Sequence, residues 1–254
     1  MRNILTIALH TVKLEIRDRV WIALLAFALG YVGLMLFLSQ LVLRELPMVN
    51  AFALLGVYFF NVIIAIFLGT TLFYRDVERK TVYFVLAKPV SRREFLLGKF
   101  FGLCAVVFLT SAVLAGAYLI VIAAAGGGFG ALGLLAILMQ FLEMSLFIAF
   151  AIFVSTFSSS LLSVMYTSAV FFLGYLVSSL VSDARKAGIT GIRYILVNVL
   201  YYAFPNLAKF NIRDIGVHYV ADPWLSFGLA FAYAAAYIIL LLFAAIWIFE
   251  KKEI

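Results

Sequence analysis

The run VWIALLAFALGYVGLMLFLSQLVL, from Val20 to Leu43, contains no charged side chain. A helix needs about 20 mostly apolar residues to cross the hydrocarbon core of a bilayer, so this run is long enough to span it. Similar runs recur along the chain. Of its 254 residues, 67% are hydrophobic and 12% are charged, against roughly 45–50% and 25% in soluble domains. The sequence therefore predicts an integral membrane protein and excludes a water-soluble fold.

The uncharged runs predict an all-α polytopic membrane protein with six transmembrane helices in one domain over residues 1–254. A glycine-rich turn at 126–130 and a serine-rich break at 155–160 separate neighbouring spans in the second half of the chain. The predicted spans are 20–43, 50–74, 95–125, 131–155, 160–182 and 224–249.

Two segments beside these spans are also apolar. Residues 1–19 predict a helix with apolar and polar sides, which we expect to lie in the membrane interface. Within the external region 183–223, residues 194–208 are too short to span comfortably and are interrupted by Pro205. We expect a re-entrant or surface-lying segment between spans five and six. A seventh crossing is the alternative, but it would place Lys251 and Lys252 outside.

The orientation follows from the basic residues, which are retained on the cytoplasmic side of short loops. With six spans and the amino terminus inside, thirteen of the 19 lysines and arginines lie on the inner side. The sequence therefore predicts a multi-pass protein of the cell membrane with both termini in the cytoplasm. Because these basic residues adjoin apolar runs, we interpret the net charge of +7 as a topology signal and expect no nucleic-acid partner.

The inner loop 75–94 is longer than a simple connection requires, so we expect it to have structure of its own. Pro89 ends a short apolar run that begins at Thr81, and this pattern predicts a short surface helix. Ser91 and Glu94 have the spacing of a capping box, which predicts that the next helix begins there. On residue pattern alone, the favoured interpretation is that the basic side chains bind anionic lipid headgroups and enforce orientation.

Glu143 is the only acidic or basic side chain (Asp, Glu, Lys, Arg or His) between Ala131 and Ser182, and it lies midway along the fourth predicted span. A charged side chain there costs at least roughly 2.5–3.5 kcal/mol, so it must face protein or water. It is a candidate residue of a translocation route or a dimer seam. The alternative is a protonated carboxyl satisfied by Gln140 or by a neighbouring helix. Gly98 and Gly102 have the small-residue spacing of helix contacts, but no role is assigned to them.

Several kinds of chemistry lack their motifs in this sequence. His10 and His218 are the only histidines, and they lie on opposite sides of the predicted membrane. Cys104 is the only cysteine, so neither a metal site nor a disulfide within the chain is expected. The Gly-x-x-x-x-Gly-Lys-Ser/Thr phosphate loop is absent, and so is Gly-x-Ser-x-Gly. We therefore expect no catalytic residue, no directly bound cofactor and no enzyme activity of the chain alone.

The loop resembles the first cytoplasmic loop of type-two ABC exporter permeases. The matching stretches are Glu78-Arg79-Lys80-Thr81, Leu86-Ala87-Lys88-Pro89-Val90-Ser91-Arg92 and Leu96-Leu97-Gly98-Lys99. A glycine usually precedes the threonine in that family, whereas Lys80 stands here. The resemblance extends over nearly the whole chain, including Phe204-Pro205-Asn206-Leu207 in the outer region.

The resemblance implies that the loop contains a coupling helix that docks into a separate ABC ATP-binding subunit, which holds ATP and Mg. It implies a second permease copy, as in a homodimer, around a central route, and an outer gate at Pro205 and Asn206. The implied ATPase-coupling interface consists of Glu78, Arg79, Thr81, Tyr83, Phe84, Pro89, Ser91, Arg92 and Arg93.

The resemblance therefore implies the permease subunit of an ATP-driven exporter, with membrane lipid around it. The main alternative is a non-transporting membrane scaffold or assembly subunit. A channel or a membrane enzyme is a more distant one. The transported substrate does not follow from the fold.

Overall fold

The structure is a computed structural model that describes residues 2–41, 46–72, 91–128, 131–186, 205–211 and 222–251. These ranges contain helices and no β-strand, which confirms the all-α prediction for this part of the chain. The α-helices are α1 (Arg2–Glu15), α2 (Arg19–Leu41), α3 (Leu46–Phe67), α4 (Arg92–Ala124), α5 (Ala131–Ser155), α6 (Ser160–Lys186) and α7 (Pro223–Lys251). A π-helical segment, Leu68–Leu72, continues α3, and a 3-10 turn, Leu207–Phe210, lies between α6 and α7.

Five of these helices, α2, α3, α4, α5 and α7, are long and apolar enough to cross a membrane. The fifth predicted span, 160–182, lies within α6, whose apolar stretch over the described residues is the shorter Ser160–Leu176. The helices therefore support a multi-pass membrane protein, and the six-span arrangement stays a prediction.

Helix α5 lies at the centre of the bundle and packs against α3, α4, α6 and α7. Its consecutive residues Leu146, Phe147, Ile148 and Ala149 are all fully buried. Four consecutive residues face all sides of a helix, so this part of α5 is interior, whereas α2 and α7 carry large exposed apolar side chains. Phe27 of α2 and Phe243 of α7, for example, are each 73% exposed. These two helices have the surface expected of lipid-facing spans.

Helix α1 packs lengthwise against the first half of α4, at Gly98 and Gly102. A Cβ atom added at Gly98 would lie 2.7 Å from Ile7 Cβ, and one added at Gly102 would lie 2.6 Å from Thr11 Cβ. Glycines four residues apart on one helix face let two helix backbones approach closely. The sequence alone gave no role to this glycine pair, which is the surface of α4 against which α1 packs.

Replacing Gly102 with leucine should therefore displace α1, because no side chain fits against Ala8 and Thr11 at this distance. We expect Gly102→Leu to lower the free energy of unfolding in mild detergent by roughly 1–3 kcal/mol, the usual cost of overpacking. Gly116→Leu is the matched control on the same helix, because a Cβ atom there meets nothing within 4 Å. Equal stability of the two variants would contradict this packing.

Candidate functional site

The first turn of α4 follows directly after the predicted coupling loop. The Ser91 side chain accepts a hydrogen bond from the Glu94 backbone N–H at 3.2 Å, and the Glu94 carboxylate accepts one from the Ser91 backbone N–H at 3.1 Å. Ser91 has the extended backbone of an N-cap residue, with φ −74° and ψ 153°. The predicted capping box is therefore confirmed, and it fixes where α4 begins.

The same turn contacts the end of α7. Arg92 Nη1 donates to the carbonyl oxygens of Phe249 at 2.9 Å and Glu250 at 3.2 Å. The last carbonyls of a helix have no partner within it and carry partial negative charge, so a guanidinium is well suited to them. Arg93 also forms an ion pair with the Glu250 carboxylate at 2.6 Å, and the Phe95 and Phe249 rings stack at 6.4 Å between centroids.

Helix α1 contacts this turn from another direction. Asn3 Nδ2 lies 3.4 and 3.3 Å from the two oxygens of the Glu94 carboxylate. Glu94 thus both caps α4 and binds α1. Along the next two turns of α4, α1 packs against Gly98 and Gly102. We call the contacts among Asn3, Arg92, Arg93, Glu94 and Glu250 the α4 clamp.

The α4 clamp has a topological consequence. Asn3 lies near the start of the described chain, and Glu250 lies near its end. Because both contact the first turn of α4, all three positions are at one end of the bundle. The two ends of the described chain therefore meet where the predicted coupling loop joins α4.

At its other end, loop 75–94 follows the π-helical segment that continues α3. Gly69 lies here against α5, where an added Cβ atom would be 2.7 Å from Ala151 Cβ. Thr70 is buried, and its hydroxyl donates to the Ile66 carbonyl at 2.6 Å. A π-helical turn is wider than an α-helical one and is frequent at functional sites. The helix before the loop is therefore packed closely onto the central helix.

The structure brings three of the predicted coupling residues into this arrangement. Ser91 caps α4, and Arg92 and Arg93 bind the end of α7. The other six predicted residues lie outside the described ranges, so their interface with an ATP-binding subunit stays a prediction: Glu78, Arg79, Thr81, Tyr83, Phe84 and Pro89.

Glu143 lies inside the bundle and is only 1% exposed. Its Oε1 atom is 2.8 Å from the hydroxyl oxygen of Tyr58 on α3 and 2.9 Å from that of Tyr175 on α6. The two hydroxyl oxygens are 2.8 Å apart. Gln140 instead donates to the Leu54 carbonyl at 3.5 Å. Of the possible partners named from sequence, neighbouring helices rather than Gln140 contact the carboxyl.

Pro205 and Asn206 begin a short described segment that packs into the bundle between α6 and α7. The Asn206 backbone N–H donates to the Tyr233 hydroxyl at 2.8 Å, and its side chain accepts from Ala208 N–H at 3.1 Å. Leu207 fits against Gly174 of α6, where an added Cβ atom would lie 2.6 Å from the leucine side chain. This turn thus packs at a defined position against α6 and α7. Its role as an outer gate stays a prediction.

Among residues for which side chains are described, no group of three or more His, Cys, Asp or Glu could hold a metal ion. The polar residues of this part of the chain are instead used in contacts between helices. Trp21 Nε1 of α2 donates to Thr110 Oγ1 of α4 at 3.1 Å, and Ser111 of α4 donates to Asn61 of α3 at 3.2 Å.

Sequence reasoning missed Tyr58 and Tyr175 as partners of Glu143, and Asn3 and Glu250 as partners of α4. Buried tyrosines usually bond through their hydroxyls, so a tyrosine within a predicted span was an available signal. Spacing within one helix does not tell which other helix that hydroxyl faces.

The comparison with known families agrees with the membrane fold. Residues 5–254 match the family described as ABC-2 family transporter protein. No curated protein gave a match to the chain. Permeases of this family normally work with an ATP-binding subunit. Because the match covers nearly the whole chain and the helices suit a multi-pass membrane protein, this chain belongs to the ABC-2 transporter family.

Proposed function

We propose that this chain is the permease subunit of an ATP-driven ABC exporter in the cell membrane. A separate ATP-binding subunit hydrolyses ATP with Mg, and this chain itself has no catalytic residue and binds no cofactor. Two permease copies, as a homodimer surrounded by membrane lipid, form the route for the substrate. Loop 75–94 contains the coupling helix, and the turn at Pro205 and Asn206 belongs to the outer gate.

The observation that carries this proposal is the α4 clamp. A force applied to the loop reaches the first turn of α4, where Arg92 and Arg93 bind the end of α7 and Glu94 binds Asn3 of α1. The packing of α1 against Gly98 and Gly102 continues the contact between these two helices along α4. Helices α1, α4 and α7 therefore move together when the loop is displaced. A loop that only bound lipid headgroups would not need such contacts at its base.

The contacts of the clamp also support an even number of crossings. Arg93 and Glu250 lie at the same end of the bundle, so the chain between them crosses an even number of times. The lengths of α4, α5 and α7 suit three crossings, and the proposed arrangement takes α6 as the fourth, with α2 and α3 preceding them. A seventh crossing would put Glu250 at the opposite end. With the lysine and arginine bias, this arrangement favours a cytoplasmic loop and cytoplasmic termini.

Cysteine labelling tests the side on which the loop lies. In a Cys104→Ala background, we expect a membrane-impermeant maleimide to label Arg79→Cys in inverted vesicles but not in intact cells. Asp222→Cys, at the exposed start of α7, is the control with the opposite expected pattern. Labelling of Arg79→Cys in intact cells would show that the loop faces the cell exterior, where a cytoplasmic ATPase could not bind it.

Charge reversal tests whether the loop binds an ATP-binding subunit that is co-expressed with the chain. We expect Arg79→Glu to reduce the amount of bound subunit several-fold, because the resemblance places this residue in the coupling interface. Arg17→Glu, which changes an exposed cation in the turn after α1, is the control and should retain the subunit. If Arg79→Glu kept a bound and active ATPase, the scaffold alternative would gain support.

A charge swap tests whether the α4 clamp transmits movement. Glu250→Arg places two guanidinium groups side by side, and we expect several-fold loss of the permease-dependent ATPase rate although the subunit stays bound, because Glu250 is not part of the predicted coupling interface. Combining it with Arg93→Glu restores opposite charges and should restore the rate. The Arg93–Glu250 pair is substantially exposed, so neither change should lower stability much. An unchanged rate in the single variant would show that the ion pair has no part in coupling.

A further inference from the structure

A groove opens between the turn after α5 and the last turns of α7. The turn contributes Thr156 and Phe157, and α7 contributes Trp247, Ile248 and Lys251. The groove has a volume of about 410 Å³, which is within the usual range of small-molecule sites. Because the same end of α7 carries Glu250, which contacts α4, the groove lies at the same end of the bundle as the α4 clamp.

The walls of the groove are mainly apolar, and one cation lies beside them. Phe157 and Trp247 are large aromatic side chains, and each is more exposed than buried. Lys251 Nζ lies 3.8 Å from the centroid of the Trp247 ring, which is within the range of a cation–π contact. The Thr156 hydroxyl donates to the Phe153 carbonyl at 2.7 Å. The groove therefore offers an aromatic surface with a positive charge one helical turn beyond Trp247.

The groove continues into an apolar stripe on the outer surface of α7. The stripe consists of residues spaced four apart, which follow one another along one side of a helix: Ile239, Phe243, Trp247 and Lys251. All of them are exposed. The uncharged run Trp224 to Phe249 ends just before Lys251. Lys251 therefore lies where α7 leaves the hydrocarbon core, at the level where lysine and tryptophan meet lipid headgroups.

The charges next to the groove face different partners. The Glu250 carboxylate forms its ion pair with Arg93 of α4. Arg92 donates to the backbone carbonyl oxygens of Phe249 and Glu250. Glu250 is thus directed towards α4, whereas Lys251 lines the groove. The charge that α7 presents in the groove is therefore positive, and it complements an anionic group.

We propose that this groove binds one anionic phospholipid. The phosphate contacts Lys251, the glycerol and the upper acyl chains lie on Trp247 and Phe157, and one chain continues along the stripe towards Ile239. A phospholipid has the same order of groups as this surface, an anion followed by a long apolar chain. The inference requires the chain to lie in a membrane, but it does not depend on the exporter function.

Fluorescence quenching by brominated lipids tests the site, because bromine on an acyl chain quenches a tryptophan that it contacts. Combining Trp21→Phe with Trp224→Phe leaves Trp247 as the only tryptophan. We expect brominated phosphatidylglycerol to bind beside Trp247 about fivefold more strongly than brominated phosphatidylcholine, the fold-change that corresponds to about 1 kcal/mol of attraction to one lysine. Equal quenching by the two lipids would indicate unselective lipid contact and would overturn the proposal.

Removal of the cation should remove this selectivity. We expect Lys251→Ala to make the two lipids quench equally, because the aromatic walls remain. Lys209→Ala is the matched control: Lys209 also lies over an aromatic ring, at 4.1 Å from that of Tyr233, but it does not line the groove. This variant should keep the preference for phosphatidylglycerol. A preference that survived Lys251→Ala would contradict the assigned headgroup contact.

A second comparison keeps the test decisive if the single-tryptophan chain does not fold, since Trp21 bonds to Thr110. The difference in quenching between the wild-type chain and Trp247→Phe then isolates the same signal. The ATP-binding subunit is the other candidate occupant, because the groove lies at the end of the bundle where loop 75–94 joins α4. Quenching by phosphatidylglycerol that persists with the co-expressed subunit bound would support the lipid. Loss of quenching by both lipids in that complex would assign the groove to the subunit and refute the proposal.

Discussion

The hydrocarbon core of a membrane contains no water to bind polar groups, so each polar group within it needs a partner inside the protein. In this bundle that constraint produces contacts between helices. Trp21 and Thr110 join α2 to α4, and Ser111 and Asn61 join α4 to α3. Polar side chains that are sparse in sequence thus determine which helices lie side by side, whereas apolar packing alone is less directional.

The same requirement holds at the end of the bundle, where helix termini expose unpaired backbone groups. At the start of α4 the Ser91 side chain accepts from one of these N–H groups, and at the end of α7 Arg92 donates to two of these carbonyls. The first turn of α4 therefore binds the end of α7. This contact lies next to the loop that we propose to bind the ATP-binding subunit, so the proposed coupling would use a contact that also holds the helix ends together.

The bundle combines two kinds of polar contact with different physical character. The Arg93–Glu250 pair is charged and substantially exposed, so water screens it and it contributes little to stability. Glu143 is buried and contacts the hydroxyl groups of Tyr58 and Tyr175, where water does not screen its interactions. The two contacts therefore differ in how far water weakens them.

The candidate site was predictable from sequence where its contacts are local. The capping box joins residues three positions apart, and such spacing can be read directly. Arg92 was predicted as part of the coupling interface, but its partners at the end of α7 are 157 and 158 residues away. Gly98 and Gly102 acquire their role only when α1 lies against them. Long-range partners depend on how helices pack, which local spacing does not encode.

The sequence by itself determined the membrane class, the all-helical fold and the start of α4, because hydropathy and capping are properties of adjacent residues. Only the tertiary structure decided that both ends of the described chain meet at α4 and that Glu143 faces Tyr58 and Tyr175. The physical reason is that lipid accepts any apolar helix surface, whereas polar and small residues select a partner only when another helix is beside them.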